Sequence, residues 1–250
     1  MLANPNARSF FGCLVILFTV LSSNTACSDE PAPGKSGTFS IVAIEPETGI
    51  CGAAVASRYP AVGSVVPYVR GGVGAFCTQH YHQPTWGKRA LELLADGKSA
   101  GEVLVELTRD DARAGTRQLG IVDRLGRTAQ LDPVDAPQDS RWWGATSGRF
   151  YACQGNTLTG REVVAEMARA YETTEGSLAD RLMAALVAGD QAGGDHRGRL
   201  AAAIVVDRPD SEETWLRLQV DKSDDAVREL ATRYQELDHA AKAAKQNKAP

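Results

Sequence analysis

The order of strand-like and helix-like segments predicts an α+β fold with mainly antiparallel sheets. Two observations carry that prediction. Short β-type runs come in pairs separated by turn residues, and two blocks of paired helices interrupt them; the composition, 43% apolar against 23% charged, is that of an ordinary globular chain. Strands joined by short turns pair antiparallel, because a parallel neighbour needs a crossover of a dozen or more residues. Helices gathered in blocks, not alternating with single strands, argue for helices packed on sheets. An αββα sandwich satisfies that order, although the order alone does not single it out.

Taken in sequence, residues 38–44 (TFSIVAI) and 50–57 (ICGAAVAS) read as strands of a hairpin around Glu-Pro-Glu-Thr-Gly. A second pair, 65–70 and 73–78, turns at Gly71-Gly72. Helical spacing follows over 86–95, ended by Asp96-Gly97, and the Ser99/Glu102 capping box opens a second helix through about Arg109. Strand signals return over 118–122 and 128–131, with a turn at Leu125-Gly126, and then over 142–146 and 150–154. Apolar residues at helical spacing place helices over 161–173 and 178–187. The loop 193–199 (GGDHRGR) leads into strands over 201–206 and 214–220, and an amphipathic helix covers 226–239.

Residues 1–26 read as a secretory signal. Arg8 precedes an apolar run over 10–21, too short to span a bilayer comfortably, and small residues follow up to Ala26. The expectation is an exported protein, in the periplasm, cell envelope or extracellular space. An uncleaved anchor is the plainer alternative. Cleavage after Ala26 would leave Cys27 first, as in a bacterial lipoprotein, although Asn24 stands where such a signal normally carries Leu. Membrane attachment through Cys27 and a soluble form therefore both stay open. Residues 27–37, polar and rich in Pro and Gly, read as a linker or propeptide. Residues 240–250 (AAKAAKQNKAP) read as a frayed helix or flexible tail, which leaves 38–239 as the folded domain.

The formal net charge of -4 supplies no broad basic surface, which argues against a nucleic-acid partner. Cys51, Cys77 and Cys153 lie in apolar strand-like segments and read as small buried hydrophobes; being three, they permit at most one bridge among themselves. The spacing Cys77-x-x-His80-x-His82 could suggest zinc, since alternate strand residues share a face. It offers no fourth ligand, and a loop with ordinary histidines is the better reading. No metal and no cofactor is expected. Phosphate-binding glycine loops, a Gly-x-Ser-x-Gly elbow and His-Glu-x-x-His are all missing from the sequence. Trp142-Trp143 reads as packing, with a pocket wall as the alternative.

The stretch over 38–79, Trp86-Gly87, the Gln154-Gly155-Asn156 turn and Gly193-Gly194-Asp195…Arg197-Gly198-Arg199 together carry a resemblance. They look like the bacterial family called domain of unknown function 1028, over nearly everything from Thr38 to about Val220. That family is placed with the N-terminal-nucleophile hydrolases by fold, so the resemblance implies the four-layer αββα sandwich. Its members commonly begin Met-Thr-Phe-Ser, where removal of the methionine exposes the threonine. Here Thr38 is internal, so its amine is freed only by proteolysis or by self-cleavage at Gly37-Thr38. Leu200 also follows Arg199 where Gln is expected, and Cys77 stands where Ala is usual.

What the resemblance implies is chemistry at Thr38. An N-terminal threonine carries a hydroxyl nucleophile beside an amine whose pKa is about 7.7–8.0, so no histidine is required as base. Attack on an amide gives an acyl-enzyme that water clears. The same hydroxyl could first attack the Gly37 carbonyl and release the propeptide, a step that a glycine backbone tolerates. Against this, a threonine that merely opens a β-strand is common. Asn156 and Gln79 are candidate donors to an oxyanion, and Arg58 could lower the amine pKa or bind a substrate carboxylate. Asp195, Arg197 and Arg199 could orient the amine or clamp an anionic substrate; a loop-shaping Asp–Arg bridge is the alternative. The expected reaction is hydrolysis of an amide or isopeptide bond in a small molecule or peptide. The competing expectation is a non-catalytic envelope binding module. A homodimer through exposed faces is compatible with either.

Overall fold

The computed structural model of the chain describes residues 37–134, 140–209 and 215–246. The expected signal over 1–26, the lipidation candidate Cys27 and the linker as far as residue 36 lie outside the described residues, as do 247–250 of the expected tail.

β1 (Thr38–Glu45) and β2 (Ile50–Ser57) form the expected hairpin, in register from Thr38 opposite Ser57 to Glu45 opposite Ile50. Side chains alternate across a strand, so β1 has two faces of different character. Phe39, Ile41 and Ala43 share one core, while Val42 and Ile44 belong to another, with Thr38 and Ser40 on that second face by alternation. β3 (Pro67–Arg70), β4 (Gly74–His80), β5 (Arg117–Asp123) and β6 (Thr128–Leu131) make a four-stranded sheet in chain order. β7 (Trp142–Gly148), β8 (Tyr151–Leu158), β9 (Ala201–Asp207) and β10 (Leu216–Val220) join the first hairpin in a six-stranded sheet ordered β10-β9-β2-β1-β8-β7. Every pairing is antiparallel. The described residues thus form a mixed fold of two open antiparallel sheets and five helices, with no closed barrel.

Three cores separate these elements. α3 (Glu162–Thr173), α4 (Leu178–Gln191) and α5 (Ala226–Gln246) cover one face of the six-stranded sheet, burying Met167, Tyr171, Leu182, Leu186 and Leu230 against Phe39 and Ile41. A side chain such as Phe39, fully buried there, contributes about 2–3 kcal/mol through area removed from water. The opposite face meets the four-stranded sheet through Val42, Ile44, Val55, Ala75, Cys77 and Val122. The outer face of the four-stranded sheet carries α1 (Thr85–Ala95) and α2 (Ala100–Thr108), which bury Leu91, Leu94 and Val103 against Phe76, Leu119 and Ile121.

The Ser99/Glu102 capping box is formed, and Ser177 with Asp180 makes a second one at the start of α4. Three boundaries differ from the sequence reading by more than two residues. α4 continues to Gln191 because its last turns still bury Gly189. α5 runs to Gln246, so residues 240–246 of the expected tail are helical, as their Ala/Lys composition favours. β8 continues to Leu158, and the Gln154-Gly155-Asn156 segment is therefore strand and not turn. Its pairing with β1, Ser40 opposite Gln154 and Thr38 opposite Asn156, overrides the local Gly-Asn turn preference.

Candidate active site

The space between the two sheets is apolar over most of its area and polar at the end where β1 begins. Thr38 and Ser40 of β1, Ser57 of β2, Gln79 of β4, Gln118 of β5, and Gln154 and Asn156 of β8 are all fully buried there. Such groups are tolerable only when their hydrogen bonds are made, and here they are. Gln118 is the hub. Its Oε1 accepts from Gln79 Nε2 and from Asn156 Nδ2, each at 2.8 Å, and its Nε2 donates to Gly155 O and to Asp132 Oδ1, also at 2.8 Å. Ser40 donates to Gln79 Oε1 at 2.6 Å and accepts from Gln154 Nε2 at 2.7 Å. Gln79 Nε2 also reaches Thr38 O at 3.3 Å. Room for Gln154 comes from Gly120 on the facing strand, where a Cβ would lie 2.1 Å from Gln154 Oε1. Burial pushes the Asp132 carboxyl above the ordinary carboxylate range, against the opposing hydrogen bond from Gln118.

Thr38 sits on this amide bed with its hydroxyl aimed sideways along the sheet. Thr38 Oγ1 lies 3.0 Å from Ser57 Oγ, and Ser57 Oγ donates to the carbonyl of Gly37 at 2.6 Å. Ser57 Oγ also accepts from Tyr59 N–H at 2.9 Å, and the Gly37 carbonyl takes a second, longer contact from Arg58 N–H at 3.4 Å. The peptide bond in front of Thr38 therefore has its carbonyl oxygen between a hydroxyl and a backbone amide.

The other side of Gly37 is closed by the loop before β9. Asp195 makes an isolated bridge with Leu158 at the end of β8, and its carboxylate is gripped by Arg197 through Nε at 3.1 Å and Nη2 at 2.9 Å. The Asp195 side chain is fully buried, and Arg58 Nη1 donates to Arg197 O at 2.7 Å, which ties the loop to the end of β2. A Cβ on Gly37 would lie 2.2 Å from Asp195 Oδ2 and 2.6 Å from Arg197 Nη2, so any other residue would have to displace the Asp195 carboxylate. Thr157, between Asn156 and the Asp195 bridge, is held at a φ of 58°, a region that a β-branched residue rarely adopts.

The structure thus brings Gly37, Thr38, Asn156, Asp195, Arg58, Arg197 and Gln79 to one place. Asn156 and Gln79 act from beneath, through the amide network and Thr38 O, and neither is positioned on the Gly37 carbonyl. Arg199 is engaged elsewhere, with Nη2 on Asp190 Oδ2 of α4 at 2.7 Å. Ser57, Gln118, Gln154 and Ser40 were not among the expected site residues. The period-2 pairs Thr38/Ser40 and Gln154/Asn156 are the signal that could have found two of them. Cys77 is buried in the core between the sheets, its thiol pushed up to about 12 by burial, and His80 Nδ1 lies 2.7 Å from Thr116 O. Among the described residues no group of three or more His, Cys, Asp and Glu side chains is placed to hold a metal ion. Among them, too, no helix is long and apolar enough to cross a membrane. Trp142 packs against the helix-side core.

Comparison with known proteins agrees with this architecture. The crystal structure of protein SPO2555 from Silicibacter pomeroyi is similar over 80% of this chain and 88% of its own, with a TM-score of 0.72 and 29% sequence identity. Its title assigns it to DUF1028. No curated protein matches. The profile described as a family of unknown function, DUF1028, matches residues 38–230, from the candidate threonine to the first turns of α5, and the chain belongs to that family.

Proposed function

We propose that this chain is an exported amidohydrolase of the N-terminal-nucleophile kind, built as a four-layer αββα sandwich, with Thr38 as nucleophile after cleavage of Gly37-Thr38. The observation that carries the reading is the hydroxyl chain from Thr38 through Ser57 to the carbonyl of residue 37. It links the nucleophile to the very bond whose cleavage would free the amine.

In self-cleavage Thr38 Oγ1 attacks the Gly37 carbonyl carbon. Its proton passes to Ser57 Oγ, and the Ser57 proton passes to the carbonyl oxygen, which Arg58 N–H also faces. On collapse the C–N bond breaks as that oxygen's proton passes to the nitrogen, which re-forms the carbonyl and leaves an ester on Thr38 with its amine free. Water then releases the segment ending at Gly37. In turnover the freed amine, with an ordinary pKa of about 7.7–8.0, takes the hydroxyl proton. Gln79 and Asn156, through Gln118, hold the strand end in place.

The test is intact mass and N-terminal sequencing of protein recovered from the cell envelope. The expected product begins at Thr38, and Thr38→Ala leaves the chain uncut at that bond. A stable mature chain that still carries residues 27–37 would overturn the free-amine mechanism and favour a binding module.

A further inference from the structure

We propose that the amides this site cleaves carry a glycyl acyl group, one whose α-carbon bears no side chain. The inference rests on the Thr38 reading above and concerns what the same site accepts.

Self-cleavage and turnover pass through the same kind of species, an ester of Thr38 Oγ1. In self-cleavage the acyl group is that of Gly37. In turnover it is the substrate's: the Oγ1–C bond forms, the C–N bond breaks, and the hydroxyl proton leaves with the departing amine. Water then adds to the ester, returning the hydroxyl and a free carboxylic acid. Both acyl groups must present their carbonyl oxygen to the same two donors, Ser57 Oγ and Arg58 N–H. With the ester oxygen and the carbonyl oxygen fixed, the α-carbon falls where the Gly37 α-carbon lies.

That position has a wall. An L side chain there would put its first carbon 2.2 Å from Asp195 Oδ2, 2.5 Å from Asp195 Cγ and 2.6 Å from Arg197 Nη2. The two nearest, both of Asp195, cannot step aside cheaply. The Asp195 side chain is fully buried and bound by Arg197 Nε, Arg197 Nη2 and the Arg197 backbone N–H. Arg197 is held in turn by Arg58, which donates to its carbonyl. Arg58 thus holds the Arg197 backbone, and movement of the Asp195 carboxylate would break the bonds it takes from Arg197 Nε, Nη2 and N–H. A second role for the Asp195–Arg197 pair follows: it sets the acyl specificity by shape.

The test uses the full chain in two arms. Maturation of Gly37→Ala, followed by intact mass, is expected to be at least tenfold slower than that of the unaltered chain. Processed unaltered protein is then offered glycine p-nitroanilide and L-alanine p-nitroanilide, with release of p-nitroaniline read by absorbance. At least a tenfold preference in kcat/KM for the glycyl compound is expected. Gly37→Ala maturing at the normal rate overturns the proposal, as does equal turnover of the two anilides or turnover of neither by processed protein. The anilide arm involves no substitution, so misfolding of Gly37→Ala does not affect it. Failure of the underlying reading looks different: the unaltered chain never yields a Thr38 N-terminus, or Thr38→Ala is cut as readily as the unaltered chain.

Discussion

Ser57 has one hydroxyl proton, and it points at the Gly37 carbonyl, 2.6 Å away, so in the 3.0 Å contact between Thr38 Oγ1 and Ser57 Oγ the threonine is the donor. The direction matters. The Thr38 proton already rests against an acceptor that can hand its own proton onward, toward the atom that becomes an oxyanion. The relationship arises from the register of one hairpin, which sets Thr38 directly opposite Ser57.

Removal of that relay should slow maturation without removing the nucleophile. Ser57→Ala is expected to reduce the rate of appearance of the Thr38-initiated chain by roughly 10²–10⁴-fold, the usual worth of a positioned proton-transfer group. Intact mass over a time course checks this. Maturation of Ser57→Ala at the normal rate would assign the hydroxyl to packing alone.

The amide bed beneath Thr38 should be worth stability as well as position. Gln118→Ala would leave the donors of Gln79 and Asn156 without their shared acceptor in a fully buried layer. At roughly 1–3 kcal/mol for each of these two groups, the expected loss is about 2–6 kcal/mol. A fall in the urea midpoint at unchanged slope measures it. A loss below about 1 kcal/mol would mean that water replaces the missing amide.

Much of the fold was legible because its elements are local. Paired runs such as 38–44 with 50–57, and the capping residues Ser99 and Glu102, declare themselves within a few positions. Asn156 did not, because Gly-Asn is a turn signal locally, while the pairing with Thr38 that overrides it is fixed by β1, more than a hundred residues earlier. The candidate site divides in the same way. Thr38, Gly37 and Asp195 stood out through the family resemblance, whereas Gln118 owes its place to the packing of one sheet on the other, and nothing in its immediate sequence announces it. Gly37 was read as a tolerant backbone; its sterically closed side, set by Asp195, became visible only once the distant loop was placed.

A separate ion pair should give the fold a defined acid limb. Arg117, buried at the start of β5, donates through Nε to Asp111 Oδ2 at 2.8 Å, and this hydrogen bond is the main cause that holds the Asp111 carboxyl below its ordinary value near 3.8. A carboxyl with a depressed folded-state pKa contributes stability above its unfolded value and loses it as pH falls through the folded one. Asp111→Asn is therefore expected to cost about 2–3 kcal/mol near pH 7, where it strips the partner charge from a buried guanidinium. The gap should close below about pH 4 as the unaltered carboxyl is itself neutralised. Urea midpoints at pH 7, 5 and 3 provide the check. A gap that stays constant with pH would assign the effect to shape and not to charge.

The three thiols of the fold supply the last test, because they separate a hydroxyl reaction from a thiol one. Burial pushes Cys51 and Cys77 up to about 12 and raises Cys153 as well. The thiolate is the reactive form, so at pH 8 these groups have almost none to offer. Iodoacetamide should leave all three unmodified in the native chain and alkylate all three after unfolding in urea, as read by peptide mass. Cys77 is the one that bears on mechanism, since it stands on β4 two residues before Gln79, whose side chain contacts both Ser40 and the Thr38 carbonyl. Cys77→Ala is expected to cost about 1 kcal/mol for the small void and to leave the maturation rate within twofold. Loss of maturation in Cys77→Ala or after iodoacetamide, with Thr38→Ala still processed, would hand the nucleophile to sulfur. Unchanged maturation in both treatments leaves the Thr38 hydroxyl as the attacking group.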